Sequence, residues 1–294
     1  MTKIDVAIAS ANRPAVLHDT VLELFNQSRP PDEIIVVYPE SSSEMTEEHV
    51  SARTRKLPVR LFAGPRGCSH QRNTAIDLTD SDVLLFLDDD VQLDSRYIEQ
   101  CLRILAENSD AAGVSGWVVV DGTVESNEIA REDAKDVLQR VPPQAAPLRD
   151  TGSFYGCNMV VRTSIAKLVR FDENLRGYSI FEDRDFGNRV RRYGRILYSK
   201  DCRLVHLATR SGRVNAVNFG AAQIRTPIYC WRKGSFTSAE TLELIRNSVG
   251  RNLLGLIKPN KGKNRRVRIG QLAGNLKGAM LSLMESARAL ASSR

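Results

Sequence analysis

Short apolar runs bounded by turn residues recur along the first third of the chain. They lie at residues 3–9, 33–38, 59–62 and 83–87, and polar helical segments follow the first and third of them. Apolar runs of four to eight residues are typical of buried strands. A strand, a helix and a second strand at this spacing predict a βαβ unit, which requires a parallel sheet. The pattern therefore predicts an α/β protein whose first half is of the nucleotide-binding type.

The pattern after residue 94 alternates less regularly. It predicts, in chain order, a helix at 95–107, a strand at 111–121, a long excursion at 122–150, a strand at 157–161, helices from 163 and 182, and strands at 195–199 and 203–206. Loops as long as this excursion are usually functional or mobile.

Two amphipathic segments close the chain. Their apolar residues recur every three or four positions, which predicts helices with one apolar stripe each. The first stripe contains Leu242, Ile245, Val249, Leu253 and Leu256, and the second contains Ile269, Leu272, Leu276, Ala279 and Leu283. We therefore expect a body of residues 1–234 followed by a helical C-terminal region of residues 235–294.

The composition is that of a globular protein of the cytoplasm. Hydrophobic residues make up 42% of the 294 residues and charged residues 26%, and neither a signal peptide nor a membrane-spanning apolar run is visible. The five cysteines are widely spaced and form no CxxC pair. That spacing indicates free thiols in a reducing compartment rather than disulfides or a structural zinc site.

The net charge of +7 is concentrated at the C-terminal end. Residues 235–294 hold eleven Lys/Arg and three Asp/Glu, which leaves 31 Lys/Arg against 32 Asp/Glu in residues 1–234. The body is thus close to neutral, and no nucleic-acid-binding motif is present, so we expect no nucleic-acid partner.

The basic helices at the end of the chain have more than one interpretation. Clustered cations beside amphipathic helices suit an anionic membrane surface, which we assign to residues 241–290. The same segment could equally form two ordinary packing helices joined by a solvated basic loop. The apolar stripes could also pair with a second copy, which would make the protein a homodimer.

Three consecutive carboxylates end the fourth apolar run. Asp88, Asp89 and Asp90 follow VLLFL directly, and their mutual repulsion costs free energy unless a cation or hydrogen-bond donors meet them. Ligands of open α/β sheets bind beyond the carboxyl ends of such strands. Asp88 and Asp90 point the same way in an extended segment and could bind one Mg²⁺ or Mn²⁺ ion. The alternative is an acidic turn that starts the next helix, capped by Asp94 or Ser95.

A second carboxylate cluster lies at Glu182, Asp183 and Asp185. Ser179 and Glu182 fit a capping box, and acidic residues in a first turn complement the helix dipole. Taken alone, this cluster is therefore explained by a structural role at the start of a helix. Together with the triplet it suggests a division of labour, in which one site binds a metal–diphosphate and the other accepts a proton.

Six segments in order resemble glycosyltransferase family 2, whose fold is called GT-A. They are VAIASANRP, EIIVV, GPRGCSHQRNTAI, FLDDDV, GCNMVVRTSIAKLVRFDENL and EDRDFGNRVRRYG, and the resemblance covers residues 3–235. YCWRKGSF near its end is similar to a segment of bacterial members that build surface polysaccharides. The resemblance implies a nucleotide-binding half at 1–121 and an acceptor-binding half at 122–234.

The resemblance also implies roles for individual residues. Asp183 would be the general base and Glu182 its neighbour that orients the acceptor. Asp88 and Asp90 would bind a divalent metal, Mn²⁺ or Mg²⁺, with His206 as a further ligand. The implied nucleotide and donor-sugar contacts are Asn12, Arg13, Tyr38, Glu40, Arg72, Asn73, Asp88, Asp89, Gly156, Cys157 and Asn158. A lone histidine such as His206 is more often structural.

One position departs from the family pattern. Many members have an aspartate after the second strand that contacts uracil, and this chain has Tyr38 there. Glu40 could replace that carboxylate, or the base could stack on Tyr38. The expected donor is therefore a UDP-, dTDP- or GDP-linked sugar, transferred with inversion to a glycan or a lipid-linked acceptor.

Two other functions fit parts of the sequence. Asp88 to Val91 after an apolar strand also matches the nucleophile motif of haloacid-dehalogenase-like phosphatases, with Asp88 attacking phosphorus. That motif usually opens a chain, whereas three strands precede it here. The third interpretation is a non-catalytic scaffold protein that docks on membranes.

Overall fold

The computed structural model contains a large α/β unit and a smaller helical unit. It describes residues 1–11, 13–41, 59–125, 128–144, 146–175, 180–209, 215–257 and 265–292. The first unit comprises residues 1–174 and 182–212, and the second comprises residues 175–181 and 213–294. The boundary predicted after residue 234 lies inside the second unit, and the division of the body into two functional halves stays a prediction.

The α/β unit is built on one sheet. Its described strands are β1 (Ile4–Ala9), β2 (Glu33–Pro39), β3 (Val59–Gly64), β4 (Val83–Asp88), β5 (Val91–Leu93), β6 (Ala111–Asp121), β7 (Arg149–Asp150), β8 (Asn158–Arg162) and β9 (Arg195–His206). They pair in the order β3-β2-β1-β4-β8-β6-β9-β5, and β7 pairs with β9. The pairs from β3 to β4 are parallel, as are β6 and β9, while β8 and β5 run antiparallel to their neighbours.

The helices of this unit cover both faces of the sheet. They are α1 (Pro14–Phe25), α2 (Cys68–Leu78), α3 (Tyr97–Glu107), α4 (Gly122–Glu125), α5 (Arg131–Arg140), α6 (Thr163–Val169) and α7 (Glu182–Val190). Strand β4 shows why a continuous apolar run suits a central strand. Its Leu85 and Leu87 pack in the core with α1 and α3, whereas Leu84 and Phe86 pack in the core with α2 and α7.

The second unit contains three long helices. They are α8 (Ala216–Arg232), α9 (Ser238–Ile257) and α10 (Arg265–Ser292). Leu175 and Phe181 belong to a small apolar cluster with Cys230, Phe236 and Leu244. No described helix is both long and apolar enough to cross a membrane.

The structure corrects the sequence prediction at three places. The segment predicted as one excursion at 122–150 contains α5, whose Ala134 and Leu138 pack on Val205 and Leu207. The two strands predicted at 195–199 and 203–206 are one strand, β9. Helix α8 was not predicted, although Asn215 caps it by accepting a 2.8 Å hydrogen bond from the Val217 amide.

Candidate active site

The acidic triplet lies at the end of β4, where the chain turns into β5. Strand β5 pairs antiparallel with β9, and the register places Val91 opposite His206. This pairing joins two segments that are more than 100 residues apart in sequence, which is why the triplet and His206 meet.

Asp88, Asp90 and His206 form a group that could hold a metal ion. The His206 Nε2 atom lies 3.7 Å from Asp88 Oδ2 and 3.5 Å from Asp90 Oδ1. Three candidate ligand atoms lie within 4.8 Å of one another. Ligands about 2.1 Å from one octahedral ion lie about 3.0 Å apart when adjacent and about 4.2 Å apart when opposite. The spacing therefore fits one divalent ion, and two carboxylates with one imidazole suit Mn²⁺ or Mg²⁺.

Asp121 contacts His206 on the side of the ring that faces away from Asp88 and Asp90. Strand β6 runs parallel to β9 with Asp121 in register with His206, and Asp121 Oδ1 lies 3.1 Å from His206 Nδ1. A carboxylate on Nδ1 orients the ring so that Nε2 faces the site. The Tyr155 hydroxyl and the Thr123 amide also donate hydrogen bonds to Asp121. Sequence analysis assigned Asp121 no role, although a carboxylate that ends an apolar strand is the signal that singled out Asp88.

The electrostatics of His206 follow from these neighbours. Burial alone would lower its pKa, but hydrogen bonds to Asp121 and Asp90 and the charge of Asp88 raise the pKa to about 10. The same contacts hold the pKa of Asp121 below its usual value in spite of burial. A bound cation would take the place of the proton on Nε2, because a metal ligand must be the neutral imidazole.

Asp89 and Asp90 are both buried but have different partners. Asp89 accepts hydrogen bonds from Ser10 Oγ at 2.6 Å and from Arg13 Nε at 3.2 Å, so its carboxylate is anchored to the segment before α1. Asp90 Oδ2 accepts a 2.8 Å hydrogen bond from the Thr209 amide, and the other oxygen, Oδ1, faces His206. Arg13 also reaches Asp90 at 3.4 Å. The predicted donor contacts of Arg13 and Asp89 stay predictions.

The second acidic cluster opens helix α7. Asp183 Oδ2 accepts a 2.8 Å hydrogen bond from the Gly156 amide, and Oδ1 accepts one from the Arg184 amide at 2.9 Å. A Cβ atom on Gly156 would lie 3.3 Å from Asp183 Oδ2, so glycine permits this close approach. Burial and the charge of Glu182 together raise the pKa of Asp183. Asp185 is fully buried and paired with Arg189 at 2.8 Å, and Ser179 of the predicted capping box lies outside the described residues.

Arg72 links the two acidic clusters. Its Nη1 donates to Glu182 Oε1 at 2.8 Å, while Nη2 lies 3.4 Å from Asp88 Oδ1 and donates to the Gly156 carbonyl oxygen at 3.1 Å. The guanidinium is almost entirely buried. One side chain of α2 thus holds the end of β4, the turn before β8 and the start of α7 together.

Two backbone outliers adjoin this site. Phe181, directly before Glu182, has a φ of 73°, and Ala208, two residues after His206, has a φ of 57°. Residues other than glycine rarely adopt positive φ, and a structure that holds them there often does so at a functional site.

The remaining predicted donor residues are dispersed. The amide of Asn73 bonds to Phe171 and Glu173, and Asn158 Oδ1 accepts from the Gly116 amide at 2.6 Å and from the Tyr97 hydroxyl at 3.1 Å. These two side chains are buried, as is Cys157, and they hold elements in place. Tyr38 lies half-buried on β2, Glu40 is exposed after it, and Asn12 lies outside the described residues. Their contacts with a donor stay predictions.

The comparison with protein families identifies the family of this chain. The model of the family described as "Glycosyl transferase family 2" matches residues 5–169, which is more than half of the chain. The chain belongs to glycosyltransferase family 2. It is therefore a transferase enzyme, and this finding argues against the phosphatase and scaffold alternatives. A search of curated protein sequences found no match.

Solved structures similar to this transferase have the GT-A fold. The mannosyltransferase PcManGT from Pyrobaculum calidifontis, in complex with GDP-Man and Mn²⁺, is 15% identical with a TM-score of 0.59 over 95% of this chain and 87% of that one. S. aureus TarS 1–349 is 16% identical with a TM-score of 0.56 over 94% and 80% of the two chains. TarS 1–349 in complex with UDP-GlcNAc is 17% identical with a TM-score of 0.55 over 92% and 79%. The predicted family and fold class are thereby confirmed.

Proposed function

We propose that this glycosyltransferase is metal-dependent and inverting, and that it moves a sugar from a nucleoside-diphosphate sugar to a hydroxyl of a glycan or lipid-linked acceptor. The proposal rests on the link that Arg72 makes between the Asp88 carboxylate and the Glu182–Asp183 pair. One buried side chain would thus hold the proposed metal–diphosphate site and the proposed base in fixed relative positions, which favours a single displacement.

The donor end of the site is supported by the chemistry of its ligands. Asp88 and Asp90, the first and third residues of a DxD motif, and His206 would hold Mn²⁺ or Mg²⁺. When bound, such an ion neutralises charge that develops on the leaving diphosphate. Asp121 keeps His206 oriented for this role, and the Thr209 amide does the same for Asp90.

The acceptor end is supported by the environment of Asp183. Its raised pKa makes it a stronger base than an exposed aspartate, and the Gly156 and Arg184 amides hold both carboxylate oxygens in fixed directions. Asp183 would remove the proton from the acceptor hydroxyl as that oxygen attacks the anomeric carbon. Glu182, oriented by Arg72, would position the acceptor.

The nucleotide and the acceptor are proposed more broadly. Similar structures hold GDP-Man in one case and UDP-GlcNAc in another, so UDP, dTDP and GDP all stay candidates. Base contacts are proposed for Asn12, Arg13, Tyr38 and Glu40, and donor contacts for Asn73, Asp89 and Asn158. We place the reaction in cell-surface polysaccharide synthesis, in the cytoplasm at the inner face of the membrane, where lipid-linked acceptors are found.

Thermal unfolding with a panel of nucleoside diphosphates tests the donor site. A ligand that binds only the folded state should raise the Tm by about 5 °C at hundredfold excess over its Kd. We expect one diphosphate to do so with Mn²⁺ or Mg²⁺ and not with EDTA, and the effect should disappear in Asp90→Asn.

The control is Asp80→Asn, because Asp80 is a fully exposed carboxylate whose nearest cation, Lys167, lies 3.9 Å away. This variant should respond like the wild type. If no diphosphate raises the Tm under any condition, or if Asp90→Asn responds normally, the proposed donor site is wrong.

A further inference from the structure

Part of the interior of the C-terminal helical unit is polar. Asn252 on α9 donates to Gln223 on α8 at 2.8 Å and to Asn275 on α10 at 3.0 Å. Asn275 in turn donates to the Gly220 carbonyl oxygen at 2.8 Å, and Arg268 reaches Asn252 at 3.2 Å. These hydrogen bonds between side-chain amides join all three helices, and the side chains that make them are buried.

Glycines let the backbones of α8 and α10 touch. Gly270, Gly274 and Gly278 recur every four residues and therefore share one face of α10. A Cβ atom at Gly274 would lie 2.1 Å from the Val217 carbonyl oxygen, and one at Gly278 would lie 2.6 Å from that of Ala221. Any larger residue would force these two helices apart.

Several large apolar side chains of α9 and α10 are exposed. On α10, Ile269, Leu276, Met280 and Leu283 follow one another by seven, four and three positions, and each is 58–71% exposed. On α9, Leu242, Leu253 and Ile257 are 49–74% exposed. We call these seven residues the outer apolar face. Four leucines of the stripes predicted from the sequence, Leu242, Leu253, Leu276 and Leu283, are thus exposed, whereas Leu256 and Leu272 are partly buried.

This distribution is the reverse of that in a helix bundle surrounded by water, which buries its apolar stripe. It corresponds to helix packing inside lipid, where small residues permit close approach, polar side chains bond across helices and apolar side chains face outward. Because no described helix can cross a membrane, such helices would have to lie along its surface.

The charge of the region indicates which surface it fits. Residues 235–294 carry eleven Lys/Arg against three Asp/Glu. Exposed cations lie on both helices, and helical spacing puts five of them on or beside the outer apolar face: Arg246, Arg265, Arg266, Lys277 and Arg288. Two copies meeting through this face would bring these like charges together. Anionic lipid headgroups would instead attract these cations, and each cation would raise the membrane affinity roughly fivefold.

We propose that the outer apolar face inserts into an anionic phospholipid bilayer, with α9 and α10 lying in the plane of the membrane. This inference extends the location given for the proposed reaction, but it does not require that the reaction takes place.

Vesicle flotation tests this surface. The full-length protein should float with phosphatidylcholine vesicles that contain 30% phosphatidylglycerol, and at least tenfold less with vesicles of phosphatidylcholine alone. The double variant Leu276→Gln/Leu283→Gln should bind the anionic vesicles at least tenfold more weakly. Both leucines are exposed, so the variant should fold, and circular dichroism and Tm check this.

The matched control is Leu168→Gln, which removes a leucine that is 63% exposed in the α/β unit and should leave flotation unchanged. Equal flotation of wild type and double variant, or no flotation of the wild type, would overturn the proposal. Analytical sedimentation tests whether a second copy covers the face instead. A wild-type protein that is a dimer and does not bind vesicles, together with a double variant that is a monomer, would indicate dimerisation through this face. Diphosphate-induced stabilisation of the double variant is measured separately, so failure here is distinct from failure of the donor site.

Discussion

Asp121 shows how a residue outside a candidate metal-binding group can set the geometry of that group. Its carboxylate lies 3.1 Å from His206 Nδ1 and so selects the tautomer and ring orientation that turn Nε2 toward Asp88 and Asp90. The ring would otherwise have two orientations and two tautomers. The sequence shows the histidine and the carboxylate, but not that they are adjacent.

We therefore predict that Asp121→Asn weakens Mn²⁺ binding by about 10- to 100-fold. Asparagine has nearly the same volume as aspartate, so the fold should persist. The negative charge that faces His206 Nδ1 is lost. Isothermal titration with Mn²⁺ alone gives the affinity without any assay of activity. Unchanged affinity would show that Asp121 is merely structural, and Asp121→Glu tests whether a carboxylate at this position restores binding.

Asp183 should govern the acid side of the pH profile. Burial and the charge of Glu182 raise its pKa, and a general base acts only when ionised. Activity should therefore be present above this raised pKa and fall as the pH decreases through it, at a higher pH than the value of about 3.9 for an exposed aspartate.

Asp183→Asn should reduce kcat by about 10²- to 10⁴-fold and remove this acid limb. The profile of kcat/KM against pH, measured on both proteins, is the test. Diphosphate-induced stabilisation should be retained in the variant, since the donor site is intact. A variant that keeps the same acid limb would exclude Asp183 as the base.

At the scale of elements, β6 carries the closest contacts in the sheet. A Cβ atom at Gly116 would lie 2.5 Å from the Cys202 carbonyl oxygen of β9 and 2.7 Å from the Tyr97 ring. The strand also changes register with β9 between Gly116 and Trp117 and again between Val118 and Val120, and both shifts contribute to the position of Asp121 opposite His206. A glycine in this strand therefore serves the site as well as the packing.

Gly116→Ala should lower the free energy of unfolding by about 1–3 kcal/mol, because the added methyl group overpacks backbone against backbone. Gly250→Ala is the control: nothing lies within 4 Å of a Cβ atom there, and alanine in helix α9 should stabilise by about 0.5–1 kcal/mol. Urea denaturation measures both. No loss of stability for Gly116→Ala, or the same loss for both variants, would contradict the packing argument.

For the whole molecule, the two units have different interiors and should respond to different ligands. The α/β unit buries continuous apolar strands, whereas the helical unit buries amides and glycines beside a small apolar cluster. The candidate metal ligands Asp88, Asp90 and His206 lie on the first unit, and the outer apolar face lies on the second.

Hydrogen exchange followed by mass spectrometry should separate these responses. A nucleoside diphosphate with Mn²⁺ should slow exchange at the ends of β4, β5 and β9, because bound ligand reduces local opening. Anionic vesicles should slow exchange in α9 and α10 instead. Protection of the same peptides by both additions would contradict the assignment of one ligand to each unit.

The sequence predicted most of the α/β unit because its signals are local. A run such as Val83 to Leu87 has to be buried wherever it lies, and the turn residues around it limit its length. Helix α8 was missed because its buried face mixes glycine, glutamine and threonine with apolar residues, so no clear periodicity marks it. The C-terminal stripes were predicted correctly as helical, but not which way they face.

By itself, the sequence determined the apolar strands, the acidic residues at their ends and the basic charge of the C-terminal region, since each is a property of neighbouring residues. Only the tertiary structure decided that His206 lies between Asp121 and Asp88, that Arg72 joins the two acidic clusters, and that the C-terminal helices bury amides and expose several leucines. These features depend on strand register and on helix contacts between residues far apart in the chain, and no local pattern encodes such pairings.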